Sequence, residues 1–485
     1  MSRGKKSIII EQRQQAQFLY AKGAGILELS AAHIGFMLAT VALVLGGGIY
    51  AARSVKSAEG YSLGGRAAGA PMVAGTIAGT VIGGSATVGT AQMAFSVGLS
   101  AWWFTLGSGI AFIVMGLFYA KRLRASGLTT IPELLVKNYG AKAGLVTSVV
   151  ASMGIFCSAV ATTLPGIGIL SAVLGISAYA AAGVLLVLVV LYVFFGGMKS
   201  AGVGGILKMG VLWTSLAAAG IIAYSALPSG AAFSAVFPGD GWLSLFGGGV
   251  GNGLAHLASM IVGILCTQTY VQAIFSAKSP QVAAMGAFTA ALIVIPVGLP
   301  CVAVGLYMRA FEPDVSPLLV LPIYLAEHLP LWLGGVALGG VMLSIVGSLG
   351  GLALGVGTMI ANDLLARAFS VADERKKLLL TRLVVLAVVV GACAAAIANM
   401  GMQVLVLTYL SMALRGGGIF LPLTLAVFCP GRVAPKWALI SMILSTAVAV
   451  LFSTVLPAPV HPLFIGLAVS AALLLPGLLK REAKI

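Results

Sequence analysis

The sequence predicts an all-α polytopic membrane protein with about thirteen transmembrane helices, and three observations predict it. Of 485 residues, 60% are hydrophobic and only 8% charged, with a mean hydropathy of +1.09. Apolar runs of roughly 20 residues, the length that crosses a bilayer, recur along the whole chain. The basic residues, which give a net charge of +16, are spread over alternate loops instead of forming one patch. Such a balance excludes a soluble domain and gives no support to nucleic-acid binding.

The spans fall near 29–50, 71–95, 99–120, 143–170, 178–197, 205–227, 249–270, 281–308, 332–360, 378–399, 402–427, 437–456 and 461–479. No small-residue cleavage signal follows the first, so it reads as a retained extra helix at 29–50 behind an N-terminal segment, 1–28. Residues 60–430 form the core and 437–485 the C-terminal helices. Residues 75–92 hold five glycines, four threonines, a serine and a glutamine inside a span. Glycine costs roughly 1 kcal/mol in a helix interior relative to alanine, and irregular backbone at membrane depth survives only against protein or a polar cavity. Close packing through small residues explains such a composition; so does a broken helix that contacts solute and ion. A second interruption runs from Gly263 to Gln272. Each of these segments opens a set of five spans, 71–227 and 249–427, so the core reads as a five-plus-five inverted repeat with two broken helices.

Arg53, Lys56 and Arg66 follow the first span; Lys121, Arg122, Arg124, Lys137 and Lys142 follow the third. Arg367, Arg375, Lys376, Lys377, Arg432, Lys436, Lys480, Arg481 and Lys484 continue the pattern, while the opposite loops are almost free of basic residues apart from Arg309. The positive-inside rule makes the basic side and the C-terminus cytoplasmic in a cell membrane. An odd span count then puts the N-terminus outside, against the charges of Arg3, Lys5, Lys6, Arg13 and Lys22. Either that segment crosses despite its charge, or 7–27 forms an interfacial helix. The five cysteines are scattered singly, without CxxC spacing, so neither disulfides nor a zinc site is indicated.

All twelve acidic residues lie in loops or at span ends. No paired carboxylates, Walker-type loop, metalloprotease helix or serine–histidine–acid set is present, which argues against an enzyme. The ionisable residues within spans are Lys208, Arg415, His33 and His256. A charge in a membrane is costly and therefore a functional candidate. Lys208 either snorkels to the interface or serves transport. Arg415, beside Gly416, Gly417 and Gly418, either caps a broken helix or meets an anion. His33 and His256 read as packing or hydrogen-bonding residues.

Several ordered patterns resemble the sodium:solute symporter family: Tyr61-Ser62-Leu63-Gly64-Gly65-Arg66, Thr130-Ile131-Pro132-Glu133-Leu134-Leu135 with Tyr139-Gly140, Gly196-Gly197-Met198-Lys199, and Gln268, Gln272 with Ala277-Lys278-Ser279. The resemblance spans roughly 60–430. It implies the leucine-transporter-like fold, cation-coupled uptake of a small organic solute and alternating access, with sodium or a proton as coupling ion and no other cofactor. It also implies an ion site formed by the carbonyls of Gly79 and Ile82, a third carbonyl from Ser344, and a hydroxyl pair at Gly347 and Ser348. One hydroxyl of that pair is missing. Where the family carries an aspartate and, three residues on, a glutamine, this chain has Gly205 and Lys208. A lysine there would supply the positive charge itself, as a proton-switchable substitute for the ion. Ordinary sodium coupling and sodium-independent transport both stay open.

Ser85, Thr87, Thr90, Gln92, Gln268, Gln272 and Tyr409 are expected around a midplane cavity, with Trp102 and Trp103 at one end and Arg415 adding a preference for anions. Neutral hydrogen-bonding groups of this kind suit a small polar solute, an amino acid or a carboxylate first. The expected partners are this solute, the coupling cation and the lipid bilayer, with no nucleic acid.

Overall fold

The computed structural model describes residues 29–479 except 54, 56, 195, 372, 455 and 457–459. The basic N-terminal segment and Lys480, Arg481 and Lys484 lie outside the described residues. An extra helix, α1 (Ala31–Ala52), precedes a first broken helix, α2 (Ala70–Val81) and α3 (Thr90–Val97). Then come α4 (Trp103–Val114, helical on to 125), the short α5 (Ile131–Tyr139), α6 (Ala141–Leu174), α7 (Ala178–Val189, on to 194) and α8 (Gly197–Ser225). The second broken helix is α9 (Val250–Leu265) and α10 (Gln268–Ser276). It is followed by α11 (Pro280–Phe311), α12 (Leu331–Met359, on to 368), α13 (Glu374–Ile397) and α14 (Val404–Phe428). Two further helices, α15 (Pro435–Thr454) and α16 (Pro462–Leu479), close the chain.

Each half is therefore one broken helix followed by four continuous ones. Five crossings are an odd number, so the second half runs upside down relative to the first. Nine helices among the described residues are long and apolar enough to cross a membrane, and a tenth is the α9–α10 pair, bent by 49°. This is fewer than the thirteen predicted. Ala70–Val81, Ala178–Phe194 and Pro462–Leu478 are each too short to qualify alone, and 85–125 counts once although the chain turns at Gly98 (φ 67°).

Local sequence sets the helix ends. Thr130 caps α5 by accepting from the Glu133 amide at 3.2 Å, and the Glu133 carboxylate accepts from Thr129 N, just before the cap, at 2.7 Å, with Pro132 in the first turn. Ser279 accepts from Val282 N at 3.2 Å ahead of Pro280 to start α11. Helix α8 begins at Gly197 (φ 51°), earlier than the span limit of 205. Hydropathy hides this first turn because Lys199 lies in it.

The first break comes at Ile82 (φ −81°, ψ 84°), where α2 ends. A widened turn over Ser85–Gly89 then leads into α3. Glycines let other helices approach this irregular backbone: a Cβ on Gly83 would lie 2.2 Å from Ser348 Cβ, and one on Gly84 2.5 Å from Pro165. The break is packed against α12 and α6, which is the environment that irregular backbone at this depth requires.

Candidate functional site

Lys208 lies eleven residues into α8, about three helical turns, and is fully buried. It does not snorkel. Its ammonium donates to the Ile82 carbonyl at 3.2 Å and to the Ser344 carbonyl at 3.1 Å. Ser344 Oγ also donates to Ile82 O, at 3.1 Å, and Ser348 Oγ donates to Thr80 O. A Cβ on Gly79 would lie 3.7 Å from Lys208 Cε, so this glycine lines the lysine stem; one on Gly347 would lie 2.8 Å from Nζ and 3.1 Å from the Tyr192 hydroxyl. Lys208 Nζ, Ile82 O and Ser344 O, with Gly79 and Gly347 beside the lysine, thus meet between α2, α8 and α12, while Ser348 bonds Thr80 O.

Arg415 is also fully buried. Its guanidinium donates to Gly263 O at 3.3 Å, Ser411 Oγ at 2.9 Å and Ser158 Oγ at 3.3 Å, and touches Met412 Sδ. Gly263 is in the last turn of α9, so the cation sits on the negative end of that half-helix and ties it to α6 and α14. These are the bonds of a helix cap.

The other polar candidates divide into three groups. Ser85 bonds Thr408 at 3.0 Å, Thr87 donates to Gly83 O at 3.0 Å and Thr90 to Ser85 O at 3.3 Å, so these hydroxyls satisfy the broken backbone. Gln92 accepts from Val404 N at 3.1 Å and joins α3 to the start of α14. Gln268 and Gln272 lie far from these, toward the basic loops. Gln268 accepts from Ile131 N at 2.9 Å and donates to Thr129 O at 3.1 Å, and Gln272 donates to Ser62 O at 2.6 Å and Thr358 at 3.1 Å. Arg124 donates to Ala277 O, and at the same level Ala68 N donates to Ser276 O at 3.1 Å while Ala68 O accepts from Lys278 N at 2.9 Å. These contacts join α10 to the segments before α2 and α5 and to α12.

At the opposite end, a cavity of about 280 Å³ is lined by Met93, Ser100, Trp103, Asn252 and His256, among others. Trp103 lines this cavity, whereas Trp102 donates to Ile295 O at 2.8 Å. Beyond the cavity the His256 ring lies flat on Tyr409, with centroids 4.0 Å apart and planes within 5°. The Tyr409 hydroxyl is buried and has no hydrogen-bond partner among the described residues. Nothing in the sequence marked His256 as Tyr409's partner, because the two lie on helices joined only in space. Among the described residues no three His, Cys, Asp or Glu side chains gather to hold a metal ion.

The sodium:solute symporter family model matches residues 61–445. The high-affinity choline transporter 1 of Caenorhabditis elegans is 25% identical over 354 residues, 66% of this chain and 61% of that protein. The human high affinity choline transporter 1 is 25% identical over 419 residues, 80% of this chain and 71% of its own length. Among solved structures, a substrate-bound, outward-open Na⁺-coupled sialic acid symporter superposes with a TM-score of 0.76 at 14% identity, covering 92% of this chain and 96% of the other. A nucleobase-cation-symport-1 family transporter in a closed conformation superposes with a TM-score of 0.56 at 12% identity, covering 86% and 93%. With its two broken helices and with the family model matching residues 61–445, the chain belongs to the sodium:solute symporter family of transporters.

Proposed function

We propose that the protein is a secondary active transporter of the cell membrane in which the Lys208 ammonium takes the place of a coupling sodium ion, and that it moves a small organic solute, an amino acid or a carboxylate, by alternating access. The observation that carries this reading is the pair of bonds from Lys208 Nζ to Ile82 O and Ser344 O, at 3.2 and 3.1 Å. These carbonyls are the ones the family resemblance assigns to the cation. A protonated lysine there would hold the α2 break against α12, and its deprotonation would release them. The basic side is taken as cytoplasmic, with the C-terminus inside, the N-terminus outside and the cavity facing out. Choline transport by the relatives supports a small organic solute as cargo.

The test is thermal unfolding of the purified protein in NaCl against matched N-methylglucamine chloride. A ligand that binds only the folded state raises its stability by RT ln(1 + [L]/Kd). No sodium-specific rise is expected, whereas a clear rise would refute the lysine reading. Ordinary sodium coupling is the second reading. It is favoured by the Ser344 and Ser348 hydroxyls, which bond the same stretch of backbone at Ile82 and Thr80.

A further inference from the structure

We propose that the segment from Gly239 to Gly249 is a hinged lid on the cavity, latched by Trp103, and that its release admits solute from that side. The inference needs a transporter whose cavity is its entry and does not depend on Lys208. Both ends of the segment are glycines in the left-handed region, Gly239 at φ 84° and Gly249 at φ 97°, a conformation that glycine adopts without steric cost. Outside these two points the chain is held. Phe237 is buried in a cluster with Ala94, Ala101, Val302 and Leu306, and Val250 begins α9. Between them no residue is buried. A stretch with so little buried surface belongs to the least stable part of a fold.

The segment is folded on itself and can swing as one piece. Ser244 N donates to Gly241 O and Gly247 N to Ser244 O, each at 3.1 Å. A Cβ on Gly247 would lie 2.0 Å from Gly241 O, so the ends of the tip touch, as in a compact Ω-type loop. The tip rests on the corner between α3 and α4. There Leu99 N donates to Trp242 O at 2.8 Å, Trp103 Nε1 donates to Leu245 O at 2.7 Å, and the Phe246 ring tilts onto Trp103 with centroids 5.4 Å apart. Gly98 permits this approach, since a Cβ on it would lie 2.1 Å from Trp242 O. Trp242 also packs on Phe237 at 5.0 Å, beside the Gly239 hinge. Leu245, Gly248 and Gly249 line the cavity from the segment, opposite residues that belong to helices, such as Met93, Trp103 and His256. The segment is therefore the part of the wall that can leave without unpacking the bundle. Trp103 both lines the cavity and holds the tip through its ring nitrogen, which makes it the latch.

The experiment uses the full chain in lipid nanodiscs, with Ser100→Cys as reporter and a bulky maleimide as probe. Ser100 is buried and lines the cavity, so its labelling rate reads how often the lid is open. Trp103→Phe keeps a ring against Phe246 and removes the N–H. It should raise the rate about fivefold, the factor for one ordinary hydrogen bond. A Cβ on Gly248 would meet nothing within 4 Å, and alanine has fewer backbone states to open into, so Gly248→Ala should slow labelling about two- to fivefold. Native Cys393, buried on α13, is followed in the same samples and should not change. Labelling of Ser100→Cys that neither variant alters would overturn the proposal. So would Cys393 labelling that rises in step, which is general loosening of the bundle. If Trp103→Phe does not fold, Gly248→Ala decides alone, and a rate that is not slowed overturns the lid. The assay needs neither sodium nor a known solute, so its failure leaves the lysine reading standing, and a sodium-specific rise in melting temperature would refute that reading while leaving the lid intact.

Discussion

Gly205 and Gly75 touch backbone to backbone: a Cβ built on Gly205 would lie 2.1 Å from the Gly75 carbonyl oxygen and 3.4 Å from Gly79 Cα. Helix α8 crosses α2 here through glycine backbone, with the Ile206 side chain beside Gly75. The crossing brings Lys208, one turn further along, onto the break at Ile82. It also leaves no room for an aspartate, so the family's carboxylate and this close crossing exclude each other.

Gly205→Asp should therefore fail to create a sodium site. Overpacking of a filled interior costs about 1–3 kcal/mol and at times more. Gly205→Ala alone should lower the melting temperature measurably, and Gly205→Asp should lower it further without any sodium-specific recovery. A Gly205→Asp protein as stable as the native one would show that α8 and α2 can part at this level.

Lys208→Ala removes the ammonium and leaves the Ser344 carbonyl without the lysine's bond, in a space that a dehydrated small cation can enter. This variant should be destabilised in N-methylglucamine chloride and recover in NaCl, by about 2.7 kcal/mol if sodium reaches a hundred times its Kd. Differential scanning fluorimetry in the two salts checks it. Equal melting temperatures would mean that these oxygens alone do not bind sodium.

Gln268 bridges α10 to the start of α5, and removing its side chain leaves Ile131 N–H without its acceptor. A hydrogen bond of this kind contributes about 1 kcal/mol, so Gln268→Ala should shift the balance toward opening on the basic side about fivefold. The readout is the rate at which a thiol reagent labels a cysteine placed at Ser62, whose carbonyl accepts from Gln272 at 2.6 Å. An unchanged rate would remove Gln268 from the closure.

Arg415→Met is expected to be mild for stability. Ser158 and Ser411 already bond each other at 2.6 Å, and Thr267 donates to Gly263 O at 2.6 Å, so no neighbour is orphaned. A loss within about 1–2 kcal/mol is expected, because replacing a buried charge by an apolar group of similar size is often near neutral. Chemical denaturation, followed by its midpoint, tests this. A loss well above that range would mean that the guanidinium is indispensable to the α9 end.

The broken helices were legible because glycine and hydroxyl residues inside an apolar run have few physical explanations, and 75–92 and 263–272 both contain the breaks. Lys208 was legible as an anomaly, yet its depth was not. Hydropathy placed the span limit at 205, whereas the Gly196-Gly197 turn starts the helix. Gln268 and Gln272 were read as cavity residues from their polarity, the second helix interruption and the family-like run they belong to. Their true partners, Ile131 N and Ser62 O, are backbone groups of distant segments, which no side-chain pattern records. The His256–Tyr409 stack was invisible for a similar reason, since a ring contact between helices has no periodicity in the chain.

Joining the cation to α8 by a four-carbon stem changes what the surroundings can control. A free ion fills its place according to its abundance outside the cell, and it must shed water on each turnover. A tethered one has a fixed effective concentration, has no competitor among other alkali metals, and cannot be lost by dilution. A carrier built this way should work as well in fresh water as in brine, and its throughput should follow acidity rather than salinity.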